Sequence, residues 1–151
     1  MRLTRFTDYS LRALIFLCLR DGENSSIAEI ARAYAISEHH LTKVIHRLGQ
    51  LGLVKTTRGR NGGLRLGRLP EEIGLGEVVR QTEEDMAIAE CFGSGCCAIA
   101  GVCELQTVLQ EALQAFLLVL DRHTLADLIR PRSSALAGRL GLLPTEQETA
   151  L

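Results

Sequence analysis

The chain has 151 residues, 46% hydrophobic and 4% aromatic, with a formal net charge of −1. It is long enough for one domain with an appended element and too apolar to be wholly disordered. The absence of Trp and the scarcity of rings argue against a carbohydrate site or a base-stacking platform, and the longest apolar stretch, residues 113–120, is too short to span a bilayer.

The near-zero charge conceals an asymmetry. Residues 1–70 carry twelve Lys and Arg against five Asp and Glu, a net of +7, whereas residues 71–151 carry five against thirteen, a net of −8. A basic N-terminal half points to an anionic partner, nucleic acid foremost. The N-terminus reaches Asp8 before any apolar run, unlike a signal peptide, so a cytoplasmic location without a membrane partner is expected.

In chain order, Leu11, Leu14, Ile15, Leu17 and Cys18 share one face of residues 8–20, which predicts an amphipathic helix ended by Gly22 and Asn24. Ser26 followed three residues later by Glu29 is a capping-box signature for a short helix through Ala33, with Ile27, Ile30 and Ala31 inward. Tyr34-Ala35-Ile36 reads as a turn, and Ser37 opens a third helix in which Leu41, Val44, Ile45 and Leu48 recur. Two short helices about such a turn are the sequence form of a helix-turn-helix. Residues 53–57 then alternate like a strand, residues 58–63 are rich in turn formers with Asn61-Gly62 the strongest signal, and Leu64-Arg65-Leu66 alternates again.

A basic hairpin directly after a helix-turn-helix makes a winged helix. The expected fold class is therefore mainly α with a small β-hairpin wing, a winged helix-turn-helix over residues 1–70. Pro70 and Gly74 mark a boundary. Residues 71–103 read as a linker with a cysteine-rich loop, and 104–130 as a long helix followed by a short one restarted at Thr124 and Asp127. Residues 131–151 read as a disordered tail.

Ser37, His39, His40, Thr42 and His46 place hydrogen-bonding groups on the outward face of the third helix, with Lys43 and Arg47 suited to phosphates. A solvated helix face is the competing reading. The wing, with Arg58, Arg60, Asn61 and Arg65 among glycines, tips the balance toward double-stranded DNA.

Four of the five cysteines, Cys91, Cys96, Cys97 and Cys103, fall within thirteen residues. Cys91, Cys97 and Cys103 form an evenly spaced Cys-x5-Cys-x5-Cys in a glycine-bearing segment, and soft thiolates on one flexible segment suit an iron–sulfur cluster or a metal. Cys96 is an alternative second thiolate. The paired knuckles of structural zinc are missing, and Cys18, on an apolar helix face, reads as a packed residue. Three thiolates leave a coordination position open, for a group on the segment such as Gln106, just beyond Cys103, or for a donor from elsewhere in the fold.

Residues 1–14 (MRLTRFTDYSLRAL), the wing from Val54 to Leu66, the three-cysteine segment and the helix after it resemble the winged-helix iron–sulfur regulators, in particular the repressors that respond to nitric oxide. The resemblance covers about residues 1–130. It implies a homodimer, paired through the long helix, that reads an inverted-repeat operator. The stripe of Leu105, Leu109, Phe116 and Leu120 is consistent with such a seam, or with packing on its own domain. It also implies a [4Fe–4S] or [2Fe–2S] cluster on Cys91, Cys97 and Cys103, with Asp8 as the fourth ligand; the place of Asp8 in the DNA-binding half suggests that it would reach the cluster of the other subunit. Nitric oxide would nitrosylate the cluster and release the operator by altering the spacing of the two recognition helices. Relatives that sense cluster supply instead carry a histidine three residues after the last cysteine, where this chain has Gln106. A regulator of that kind, an iron–sulfur electron carrier and a zinc-stabilised DNA-binding protein are the rival readings. No phosphate-binding glycine loop, nucleophile elbow or hydrolase signature supports an enzyme.

Overall fold

In a computed structural model, which describes residues 2–59, 62–92, 97–99 and 102–142, the architecture is built around its first helix, α1 (Arg5–Leu19). The helix starts three residues earlier than the apolar pattern suggests. Thr4 caps it, its hydroxyl accepting from the Thr7 amide at 3.2 Å, and a polar cap leaves no trace in a hydrophobic period. Ala13 and Leu14 are fully buried and Phe16 and Leu17 nearly so. The small polar residues Thr7 and Ser10 are also buried, Ser10 donating back to the Phe6 carbonyl at 2.8 Å. Small side chains on this face let neighbouring elements approach α1 closely.

The helix α2 (Ile27–Tyr34) opens on the expected capping box. Glu29 N–H donates to the Ser26 hydroxyl at 3.2 Å and the Glu29 carboxylate accepts from the Ser26 amide at 2.6 Å. That backbone hydrogen bond holds the Glu29 carboxyl below its ordinary range. The turn to α3 (Glu38–Gln50) passes through Ala35 in the left-handed region, φ +51°. In α3 the buried residues are Leu41, Val44, Ile45 and Leu48, the four that the sequence spacing selects.

The wing is an antiparallel pair, β1 (Val54–Thr57) and β2 (Gly63–Leu66), with Val54 opposite Leu66 and Lys55 opposite Arg65. Its base is fixed to the rest of the domain. Ser25 and Leu64 exchange both backbone hydrogen bonds, at 2.9 and 2.7 Å, and Leu64 is buried. At Gly63 an added Cβ would stand 2.8 Å from the Asn24 side chain and 2.9 Å from the Ser25 carbonyl, so this approach requires glycine. Arg60 and Asn61, and with Asn61 the first residue of the expected Asn61-Gly62 turn, lie outside the described residues.

Beyond the wing, α4 (Leu75–Thr82) leads to the cysteine segment, and α5 (Glu104–Asp121) packs back on α4. Arg80 grips Asp121 through two hydrogen bonds of 2.6 Å, which hold the Asp121 carboxyl below its usual range. α6 (Leu125–Ile129), opened by the Thr124–Asp127 box, packs on α1, and Leu125 N–H donates to the Ile73 carbonyl at 2.8 Å. Among the described residues no helix is long and apolar enough to cross a membrane.

The C-terminal end departs from expectation. Within the stretch read as a disordered tail, Ser133–Arg139 form α7, while Leu140 and Leu142 pack against the core. The composition of 131–142 lacks a long apolar period, but about two turns of helix followed by two leucines suffice once α1 offers a surface. Residues 143–151 lie outside the described residues.

Ala35 stores strain, since an L-residue in the left-handed region costs about 1 kcal/mol or more. Ala35→Gly should therefore stabilise the fold by about 0.5–1 kcal/mol in urea denaturation; a loss of stability would show that the Ala35 side chain has a packing role.

Candidate nucleic-acid interface and thiol segment

Burying Leu41, Val44, Ile45 and Leu48 turns the opposite face of α3 outward. Ser37, His39, His40, Thr42, Lys43, His46 and Arg47 are all exposed. Ser37 stands at the N-cap without using its hydroxyl as a cap, which leaves that group for another partner. The Thr42 hydroxyl donates to the Glu38 carbonyl at 2.8 Å and retains acceptor capacity. The His40 ring lies between those of Tyr9 and His39, with centroids 6.5 and 6.0 Å away. Arg47 is less free than its position suggests, because its guanidinium reaches the Gln81 carbonyl of α4 at 3.4 Å.

On the wing, Arg58 and Arg65 are exposed. The register adds a residue that sequence reading missed: Lys55 sits directly opposite Arg65, and both are exposed. Like charges opposed across a strand pair repel, and an approaching polyanion relieves that repulsion. The signal was present in the alternation of Lys55 with Val54, but only the pairing register shows that the two cations form one spot.

The thiols lie at the other end of α4. Cys91 is in a short 3₁₀ turn and half-buried, Cys97 is exposed, and Cys103 is the half-buried N-cap of α5. Cys96 lies outside the described residues. The two ends of the segment are tied together: the Gln106 amide, in the first turn of α5, donates to the Cys91 carbonyl at 3.1 Å. Cys18 is set apart, packed against the core, its thiol pushed up by burial and then by Glu71 and Asp21. It is the least suited of the described thiols to act as a thiolate.

Among the described residues no three His, Cys, Asp or Glu side chains already converge as a metal-binding group. The chemistry of the donor set nevertheless fits an iron–sulfur centre: three accessible thiols on one segment, its ends held together by Gln106. Asp8 is not beside them as a free carboxylate. It is half-exposed in the first turn of α1 and paired with Arg12 at 3.0 Å.

Between the outward face of α3 and the thiol segment stands the C-terminal end of α4. Its cap residue, Glu83, accepts from both the amide and the hydroxyl of Thr4, at 2.9 and 3.1 Å, and Thr4 in turn caps α1. Two residues earlier the Gln81 carbonyl holds Arg47 of α3. Residues 81–83 thus touch both α1 and α3 and run directly into the segment that carries the thiols. The cleft beside them, about 180 Å³, is lined by Leu3, Thr4, Glu83, Met86, Leu113 and Phe116 among others, so α5 shares the same junction.

On α5 the structure separates two apolar faces that the sequence merges. Leu109, Leu113, Phe116, Leu117 and Leu120 are buried or half-buried, on the side covered by α4 and its continuation. Leu105, Val108, Ala112, Ala115 and Val119 are exposed and recur at alternating spacings of three and four. Of the stripe Leu105, Leu109, Phe116 and Leu120, only Leu105 is on the open face. An apolar arc that covers about half of a helix's circumference does not disclose which part of it the helix's own domain will cover.

A family model described as an iron-dependent transcriptional regulator, Rrf2, matches residues 3–131. The HTH-type transcriptional regulator NsrR of Bacillus subtilis (strain 168) is 59% identical over 133 residues, 86% of this chain and 91% of that one. NsrR of Geobacillus kaustophilus is 51% identical, over 89% and 93%. Among solved structures, CymR, the global cysteine regulator of B. subtilis, superposes with a TM-score of 0.71 at 29% identity, over 87% of this chain and 98% of that one. IscR of T. potens also gives 0.71 at 29%, over 87% and 88%.

If the Lys55–Arg65 pair meets phosphates, replacing both by Gln should make the salt dependence of binding to a random duplex shallower by about 1–2 in log–log slope. Fluorescence anisotropy across a salt series reads this directly, and an unchanged slope would remove the pair from the interface.

Proposed function

The chain belongs to the Rrf2 family of transcriptional regulators, and on that premise we propose that it is a homodimeric repressor whose hold on an inverted-repeat operator is released by nitric oxide. The observation that carries the reading is the junction at residues 81–83, which joins the thiol segment to both α1 and the outward-facing helix α3. Relatives named as NsrR regulators at 51–59% identity support it.

In this reading Cys91, Cys97 and Cys103 hold a [4Fe–4S] or [2Fe–2S] cluster, with Cys96 as the alternative second thiolate and Asp8 of the partner subunit as the non-thiolate ligand. When bound, the cluster supplies iron to which nitric oxide binds. The chain's own residues do the rest. The Gln106 amide closes the segment on the Cys91 carbonyl, so a displacement of one end moves the start of α5 as well. The same hydrogen bond commits Gln106, at the position where cluster-supply sensors carry a histidine, to a structural task, which favours the nitric-oxide reading over that alternative. Glu83 and the Gln81 carbonyl carry displacement of the segment to the cap of α1 and to Arg47 of α3.

On the DNA side, Ser37, His39, His40, Thr42 and His46 face base edges. Lys43, Arg47, Arg58, Arg60, Asn61 and Arg65, joined by Lys55, hold the backbone and groove. The open face of α5, Leu105, Val108, Ala112, Ala115 and Val119, is the seam between subunits. Its two alanines let the helices approach closely, and the three–four spacing is that of a left-handed helix pair.

Two measurements test this reading. Anaerobically purified protein carrying iron and sulfide should shift an inverted-repeat operator in a gel, and a few equivalents of nitric oxide should abolish the shift; equal affinity before and after the gas would discard the sensing role. Val108→Glu, which puts charge in the seam without touching the domain's own core, should yield monomers in sedimentation and weaken operator binding about a hundredfold or more through lost bivalency. A dimer that survives this change places the interface elsewhere.

A further inference from the structure

The Asp8 carboxylate is not idle. Arg12, one turn on, holds both of its oxygens, Nε to Oδ1 at 3.0 Å and Nη2 to Oδ2 at 3.0 Å. The same guanidinium lies over the Tyr34 ring, its central carbon 5.7 Å from the centroid. Tyr34 is the last residue of α2, partly buried, with its hydroxyl pKa pushed up to about 12 by that burial. It immediately precedes Ala35, the strained residue of the turn into α3.

We propose that Arg12 is a positioning residue that competes for Asp8: the Asp8–Arg12 clamp closes when the carboxylate leaves a cluster and opens when the carboxylate joins one. This rests on the proposed reading of Asp8 as a ligand and deepens it. A carboxylate gripped along both oxygens by a planar guanidinium has its best lone pairs engaged, so ligation by Asp8 requires Arg12 to let go. Conversely, a carboxylate released from iron finds in Arg12 a partner already on its own helix face, at the i, i+4 spacing that brings the two together without backbone movement. Arg12 also leans on Tyr34, so opening and closing the clamp is felt at the end of α2. An ordinary surface ion pair would stabilise α1 slightly and do nothing more. The clamp differs in joining the proposed ligand to the helix-turn-helix turn.

The test uses full-length protein loaded with its cluster, without DNA or nitric oxide, and follows iron loss to an excess of a ferrous chelator by absorbance. Arg12→Gln should slow the loss about three- to tenfold, since Asp8 no longer has a competing partner. Arg12→Lys, a point charge that cannot grip both oxygens, should fall between. Asp8→Ala should hasten the loss, and Asp8→Ala/Arg12→Gln should match Asp8→Ala alone, the signature of two residues acting through one contact.

If Asp8→Ala hastens the loss while Arg12→Gln leaves it at the wild-type rate, the clamp is wrong and the ligand assignment stands. An Arg12→Gln effect that persists undiminished in the Asp8→Ala background likewise overturns the clamp. Should Asp8→Ala change nothing, the ligand assignment and the clamp fall together. Melting of the cluster-free variants accompanies each rate, and Arg12→Gln should melt within a few degrees of wild type because Arg12 and Asp8 are half-exposed.

Discussion

Burial of α1 is the constraint on which the rest depends. The helix presents Ala13, Leu14, Phe16 and Leu17 to the core, with Thr7 and Ser10 buried on the same rod. α2, α3, α4, α6, α7 and β2 all pack against it. A helix so enclosed cannot rotate or slide privately, because interiors at crystal-like density transmit displacement rather than absorb it. One stripe near its start is the exception: Thr4, Asp8 and Arg12 are accessible there, and at Thr4 the thiol-bearing side of the molecule makes contact through Glu83. A signal delivered to the start of α1 therefore enters the one element that touches almost every other.

The charge asymmetry takes a spatial meaning in this light. The basic half builds α1, α2, α3 and the wing, the surfaces suited to DNA. The acidic half supplies the carboxylates that tie it to the basic half, Glu77 to Arg68 and Glu83 to the Thr4 cap, and those that brace it internally, Glu71 to Arg130 and Asp121 to Arg80. These pairs are half-exposed, and each adds little stability alone. They fix geometry where apolar contact is thin. The division of labour is clear in α5, which has only Leu117 buried and relies on the Arg80–Asp121 grip where α4 meets its end.

Much of this was legible beforehand because it is local. The capping boxes at Ser26 and Thr124, the buried quartet of α3, the hairpin and the winged-helix order all depend on residues close in sequence, and the structure reproduces them. What escaped detection is what depends on distant partners. The start of α1 is set by a cap shared with Glu83, seventy-nine residues away. α7 forms where composition suggests a tail. Lys55 becomes part of a cationic spot only through its register with Arg65. The open face of α5 is defined by which side α4 happens to cover. The thiol spacing identifies a donor set, but spacing alone does not disclose that the Asp8 carboxylate is already engaged by Arg12.

The junction of the wing with the core has a wider consequence. Ser25 and Leu64 exchange backbone hydrogen bonds immediately before α2, and Gly63 presses against Asn24 without room for a Cβ. Wing and helix-turn-helix are thereby riveted into a single casting that can be turned but hardly bent. The chemistry that the outward side chains of α3 offer and the angle at which helix and wing are held become separable properties. Exchanging a few exposed side chains of α3 can therefore alter what the surface prefers to bind while the placement of helix against wing stays as it is.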